Sequence, residues 1–188
     1  MRSLIPYLIV ILLIFSNCQS SEISSEKEPL VQEINDKVSH IDRNHRVRIV
    51  EDDFVRGDSI YKVRGYFMDK SLLKVVGILR TQHFERDDYF YFEDHAPLFS
   101  GHMMNYMDDQ LAVEYKYYYK DDKVVEALRW SDHYEPGKRF PHEHFVEFEP
   151  DRDSLIKTEK KRLDFFLELL DKEGIEIKHL NENLGANQ

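Results

Sequence analysis

The sequence predicts an α+β domain: an antiparallel meander of about seven or eight strands flanked by an N-terminal and a C-terminal helix. Three observations carry this. Leu111, Val113, Tyr115, Tyr117 and Tyr119 alternate with Ala112, Glu114, Lys116, Tyr118 and Lys120, the two-residue period of a half-buried strand. Weaker runs of the same kind fill residues 46–55, 59–67, 72–81, 87–92, 97–106, 123–131 and 142–148. Fourteen of the 24 aromatic residues lie between Tyr61 and Tyr119, and aromatic side chains favour strands. Patterns of helical period stand on either side of this region.

The chain opens on MRSLIPYLIVILLIFSNC. Arg2 is followed by an apolar run from Leu4 to Phe15, then Ser16, Asn17 and Cys18, the single cysteine. The run is shorter than the ~20 residues that a membrane-spanning helix needs. It has the anatomy of a cleaved export signal. The segment resembles the lipobox of bacterial lipoproteins, in which the cysteine becomes the first mature residue and carries the lipid. Phe15 and Asn17 depart from the commonest form of that pattern. The resemblance implies a signal peptide over 1–17 and lipid attachment at Cys18. It places the protein in the cell envelope, anchored to the outer membrane and facing the periplasm or the cell surface. A lone cysteine also excludes an internal disulfide, so the domain must hold together by packing.

Residues 18–28 read as a flexible polar tether. A single domain follows over 29–180, and 181–188 form a loose tail. Leu30, Ile34, Val38 and Ile41 mark one face of a helix over 29–43, with Pro29 at its start. At the other end, the residues around Pro150 start a helix that runs from about Asp153 to Lys172. Ile156, Leu163, Phe166, Leu167 and Leu170 form its apolar face, with Lys160 along the same stripe, and Gly174 is its stop.

Within the strand region a unit repeats. Phe67-Met68-Asp69-Lys70-Ser71-Leu72-Leu73, Phe92-Glu93-Asp94-His95-Ala96-Pro97-Leu98 and Tyr119-Lys120-Asp121-Asp122-Lys123-Val124-Val125 share three positions. Each has an aromatic, an Asp two residues on, and an apolar residue six residues on. The unit reads as a hairpin: the aromatic ends one strand, Asp enters the turn, and the apolar residues begin the next strand. With QEINDKV at 32–38, RVRIVEDDF at 46–54, RGYFMDKSLLKVV at 64–76 and YKYYYKDDKVV at 115–125, the chain resembles small exported bacterial proteins of uncharacterised function. Those proteins carry tandem YYF-x-N-G-K-L hairpins. Lys70, His95 and Asp122 stand where that family has its turn glycine. The resemblance implies a hairpin-repeat fold and supplies no catalytic residue.

The net charge of −10 argues against a nucleic-acid partner and against docking on anionic lipid through a basic patch. Two local features are candidates for chemistry. His142 and His144 flank one residue and share a strand face, and His133 approaches them if the loop through Pro136 and Gly137 closes a hairpin. Three imidazoles would suit zinc or copper; the simpler reading is a polar hairpin end. Tyr118 points opposite to Tyr117 and Tyr119 on a regular strand, and with Trp130 it is a candidate contact surface. The acidic pairs Asp87-Asp88, Asp108-Asp109 and Asp121-Asp122, and the triplet Glu51-Asp52-Asp53, read as turns and solvated edges. No hydrolase, zinc-protease, phosphate-loop or dinucleotide motif occurs, and no cofactor is expected. The sequence thus predicts a non-enzymatic, lipid-anchored envelope protein that binds another protein or a wall component. The alternative is an envelope enzyme or metal-binding protein built on His133, His142 and His144.

Overall fold

The computed structural model describes residues 24–121, 123–133 and 145–171. Helix α1 spans Ser24–Arg43. Eight strands follow: β1 Arg48–Arg56, β2 Ser59–Met68, β3 Ser71–Arg80, β4 Phe84–Glu93, β5 Ala96–Tyr106, β6 Leu111–Lys120, β7 Lys123–His133 and β8 Val146–Glu147. Helix α2 spans Arg152–Asp171. The strands form one sheet in the order β1 to β8, each antiparallel to the next. This is the expected α+β meander. Helix α1 begins five residues earlier than the sequence suggests, so Pro29 lies inside it. There its missing N–H leaves the first turn one hydrogen bond short.

The three repeats are bulged hairpins. In each, the register slips directly beside the repeated aromatic: between Tyr66 and Phe67, between Tyr91 and Phe92, and between Tyr118 and Tyr119. The residue left over on the second strand is Leu73, Leu98 or Val125, the apolar residue six positions after the aromatic. The aspartates adopt positive φ: 55° at Asp69, 48° at Asp94 and 50° at Asp121. Asp is one of the few non-glycine residues that visits this region at low cost. His95 also has positive φ, 69°, so Asp94 and His95 meet the demand of a type I′ turn without glycine.

The bulges matter because the sheet is covered on both faces. A bulge lets neighbouring residues turn to one side. Leu98 and Phe99 both join Ile34, Leu30 and Val38 in the core under α1. Helix α1 lies across the sheet end that holds the repeat turns. Lys37 pairs with Glu93 at 2.6 Å, Asp42 receives Lys74 at 2.6 Å and the Tyr91 hydroxyl at 3.0 Å, and Lys27 pairs with Glu147 of β8.

Helix α2 covers the opposite face diagonally. Leu155 packs with Tyr117 and Ala127, whereas Leu163, Phe166, Leu167 and Leu170 pack with Val63, Phe67, Val75, Phe90 and Phe92. The inward stripe begins at Leu155; Ile156, expected on it, is 44% exposed. The Phe166 ring sits so close to the sheet that a Cβ on Gly77 would stand 2.0 Å from its Cζ. Only glycine fits beneath that ring.

Candidate functional site

The described residues contain four buried polar or charged side chains, and all four meet in one place under α2: Asp88, Ser100, His102 and Glu159. Strand alternation brings Asp88 of β4, and Ser100 and His102 of β5, to the face that carries Phe90 and Phe92. Helical spacing supplies Glu159, four residues from both Leu155 and Leu163.

The geometry is a continuous hydrogen-bonded chain. His102 Nδ1 lies 2.8 Å from Asp88 Oδ1, and Nε2 lies 2.6 Å from Glu159 Oε2. The Ser100 hydroxyl donates to Glu159 Oε2 at 2.8 Å and stands 2.9 Å from the Tyr119 hydroxyl. Arg86 Nε donates to Asp88 Oδ2 at 2.8 Å, and Arg162 reaches Glu159 Oε1 at 3.3 Å. Burial works against a charged imidazole at His102, but Glu159 and Asp88 outweigh it and raise its pKa. Burial works against the Asp88 carboxylate too. There the hydrogen bond and charge of His102, helped by Arg86 and Arg162, win and lower the pKa. With a carboxylate oxygen within hydrogen-bond distance of each ring nitrogen, the geometry favours an imidazolium that donates from both.

A cavity of about 60 Å³ adjoins this chain, lined by Phe90, Phe92, Ser100, Tyr119, Glu159 and Leu163 among others. Ser100 does not form a nucleophile–base pair: its hydroxyl is bonded to Glu159 and Tyr119, and it is 1% exposed. Both nitrogens of His102 are engaged by carboxylates. What this arrangement does chemically is to cross-link α2 to β4 and β5. Its burial makes it sensitive to the loss of any member.

A second, open feature lies at the β7–β8 edge. A groove of about 370 Å³ runs past Lys27, Glu126, Glu147, Phe148 and Pro150. Burial, with the neighbouring charge of Glu147, raises the pKa of Glu126 there.

The residues singled out in the sequence fall differently. Cys18, His142 and His144 lie outside the described residues. His133 ends β7 exposed, with its backbone N–H 2.7 Å from Asp132 Oδ1. Among the described residues no group of three His, Cys, Asp or Glu is placed to hold a metal ion. Tyr118 and Trp130 are not a surface: they are 4% and 3% exposed. Tyr118 does point away from Tyr117 and Tyr119, but the face it points to is covered by α1, and its hydroxyl donates to Asn35 at 3.3 Å. Trp130 lies on that same face, opposite Glu114. The acidic pairs also divide. Asp108 sits in a loop against His83 at 2.8 Å. Asp87 and Asp88 are mid-strand instead, Asp87 against Arg80 at 2.5 Å and Asp88 in the buried chain.

The buried chain escaped sequence reasoning, which treated neighbouring acids as solvated. The signal was present: Asp88, Phe90 and Phe92 keep a two-residue spacing, and Leu155, Glu159 and Leu163 a four-residue spacing. Among the described residues no helix is long and apolar enough to cross a membrane. Comparison of the chain with protein-family models, curated proteins and solved structures finds no match.

Proposed function

We propose that this chain is a lipid-anchored protein of the bacterial cell envelope, held by a lipid on Cys18, and that it works by binding another protein or a wall component. The observation that carries this reading is the N-terminal segment, an apolar run from Leu4 to Phe15 ending at the sole cysteine. The start of the folded domain suits such an anchor. Helix α1 begins six residues after Cys18, and Lys27 in its first turn pairs with Glu147 on β8. Six residues reach at most about 20 Å. A lipid on Cys18 would therefore hold the β7–β8 edge towards the bilayer. The non-catalytic part of the reading is supported by the fate of the polar side chains. The one histidine–carboxylate–hydroxyl cluster of the described residues is sealed beneath a helix and joins elements together.

The test is Cys18→Ala in bacterial cells fed a labelled fatty acid. The unaltered chain should take up label and sediment with membranes, whereas the variant should do neither. Labelling that persists in the variant would remove the anchor from the proposal.

A further inference from the structure

Among the described residues the sheet has one long free edge. Among the described residues β1, nine residues from Arg48 to Arg56, pairs only with β2. An unpaired strand edge is a template for another strand. Its side chains are not neutral to what adds there. On one face stand Ile49, Glu51, Asp53 and Val55; on the other, Val50, Asp52 and Phe54. Ile49 and Val55 are 54% and 71% exposed, and Ile60, opposite Val55 on β2, is 45% exposed. The edge is thus apolar at both ends and acidic in the middle. Glu51 is paired with Arg64, whereas Asp52 and Asp53 have no ion-pair partner among the described residues.

This pattern discriminates between occupants. A second copy pairing antiparallel along the full strand would set Glu51 against Asp53, Asp52 against Asp52, and Arg48 against Arg56. Like charges directly opposite one another on neighbouring strands are destabilising. A strand with basic residues at its centre and apolar residues on either side meets the acidic centre and the apolar positions that flank it favourably, in either direction.

We propose that the β1 edge is the docking surface of this protein, and that it takes an extended, basic-centred segment of a protein partner as a ninth strand. This deepens the binding role proposed above by naming the surface and the chemistry of the partner. It does not depend on the lipid anchor. Position suits the role, since β1 is the far edge of the sheet from β8, next to which α1 begins. Seven strand spacings separate them, about 33 Å. A chain tethered beside β8 presents β1 away from its tether. Backbone hydrogen bonds would supply the attachment, and the two unpaired carboxylates would supply the selection.

The test uses the full chain in detergent and two labelled peptides, TVVKKKVVT and TVVEEEVVT. Fluorescence anisotropy should show the lysine peptide binding on the order of tenfold tighter than the glutamate peptide, with the difference shrinking in high salt. The double variant Asp52→Lys, Asp53→Lys should reverse the preference. Both residues are at least partly exposed, and the variant's circular dichroism would verify its fold. Hydrogen exchange should show new protection over residues 48–56 when the lysine peptide is bound. Equal binding of the two peptides, binding of neither, or protection elsewhere overturns the proposal. So does protection of all the β1 amides in the chain alone, which would mean that the edge is already covered by another part of the chain or by a second copy. Loss of the lipid in Cys18→Ala would leave every one of these readings unchanged, so the two proposals fail separately.

Discussion

His102 is the residue on which one face of the molecule turns. The groups that face it are Asp88 and Arg86 from β4, Ser100 from its own strand, Tyr117 and Tyr119 from β6, and Glu159 and Arg162 from α2. Its pKa is raised on folding, so its contribution is fully present below the ordinary value of 6.5 and is lost as pH rises through the raised one. Asp88 has the opposite sign: its contribution is present above the ordinary value of 3.8 and is lost as pH falls through the lowered one. Between those two ordinary values both act together. His102→Gln keeps a similar size but cannot become a cation. Its urea-unfolding free energy should fall below that of the unaltered chain by roughly 3–5 kcal/mol near pH 5, the cost of breaking a buried pair. The gap should narrow as pH rises past the raised value, because the unaltered chain then loses its own cation. A gap constant with pH would mean that the imidazole is neutral in the folded protein. None of this was legible from single residues. Asp88 beside Asp87 looks like a turn until β4 is given its full length, and Glu159 looks like a surface acid until the inward stripe is started at Leu155.

At the scale of elements the hairpin repeat was legible and its mechanical meaning was not. The shared aromatic, the shared Asp and the shared apolar residue can be read from the chain alone. That the apolar residue is the extra residue of a bulge depends on the partner strand, which no local pattern reports. The aspartates supply the positive φ for which a turn would ordinarily use glycine. If positive φ is what Asp69 contributes, Asp69→Gly should leave thermal stability within about 0.5 kcal/mol of the original. Asp69→Val should cost about 1–2 kcal/mol, since a β-branched side chain clashes in that conformation. Equal losses in both variants would assign Asp69 a side-chain role that the structure does not show.

At the scale of the whole fold, the described residues form a sheet with a helix on each face, and this is where sequence reasoning about Tyr118 met its limit. Alternation separates Tyr117 and Tyr119 from Tyr118 correctly, but it cannot say whether the second face is wet. Here α2 covers the first pair and α1 covers Tyr118, so all three lie inside. The two cores share the strands and no helix, which raises the question of whether they melt together. Strands β4 and β6 carry side chains to both sides on alternate positions: β4 gives Phe92 to the α2 side and Tyr91 to the α1 side, where its hydroxyl donates to Asp42, and β6 gives Tyr117 to the α2 side and Tyr118 to the α1 side. Loosening one face should therefore loosen the backbone that organises the other. Phe92→Ala, in the α2 core, should cost about 3–5 kcal/mol. Tyr118→Ala, in the α1 core, should be comparably damaging, because both side chains are buried. Trp130, the single tryptophan, lies on the α1 side and reports on that face alone, whereas far-ultraviolet circular dichroism reports on the sheet and both helices. In urea the two signals should give coincident midpoints in the unaltered chain, and each variant should shift both by the same amount. If Phe92→Ala moves the circular dichroism and leaves the Trp130 transition in place, the faces are separate cooperative units, and the sheet does not couple them.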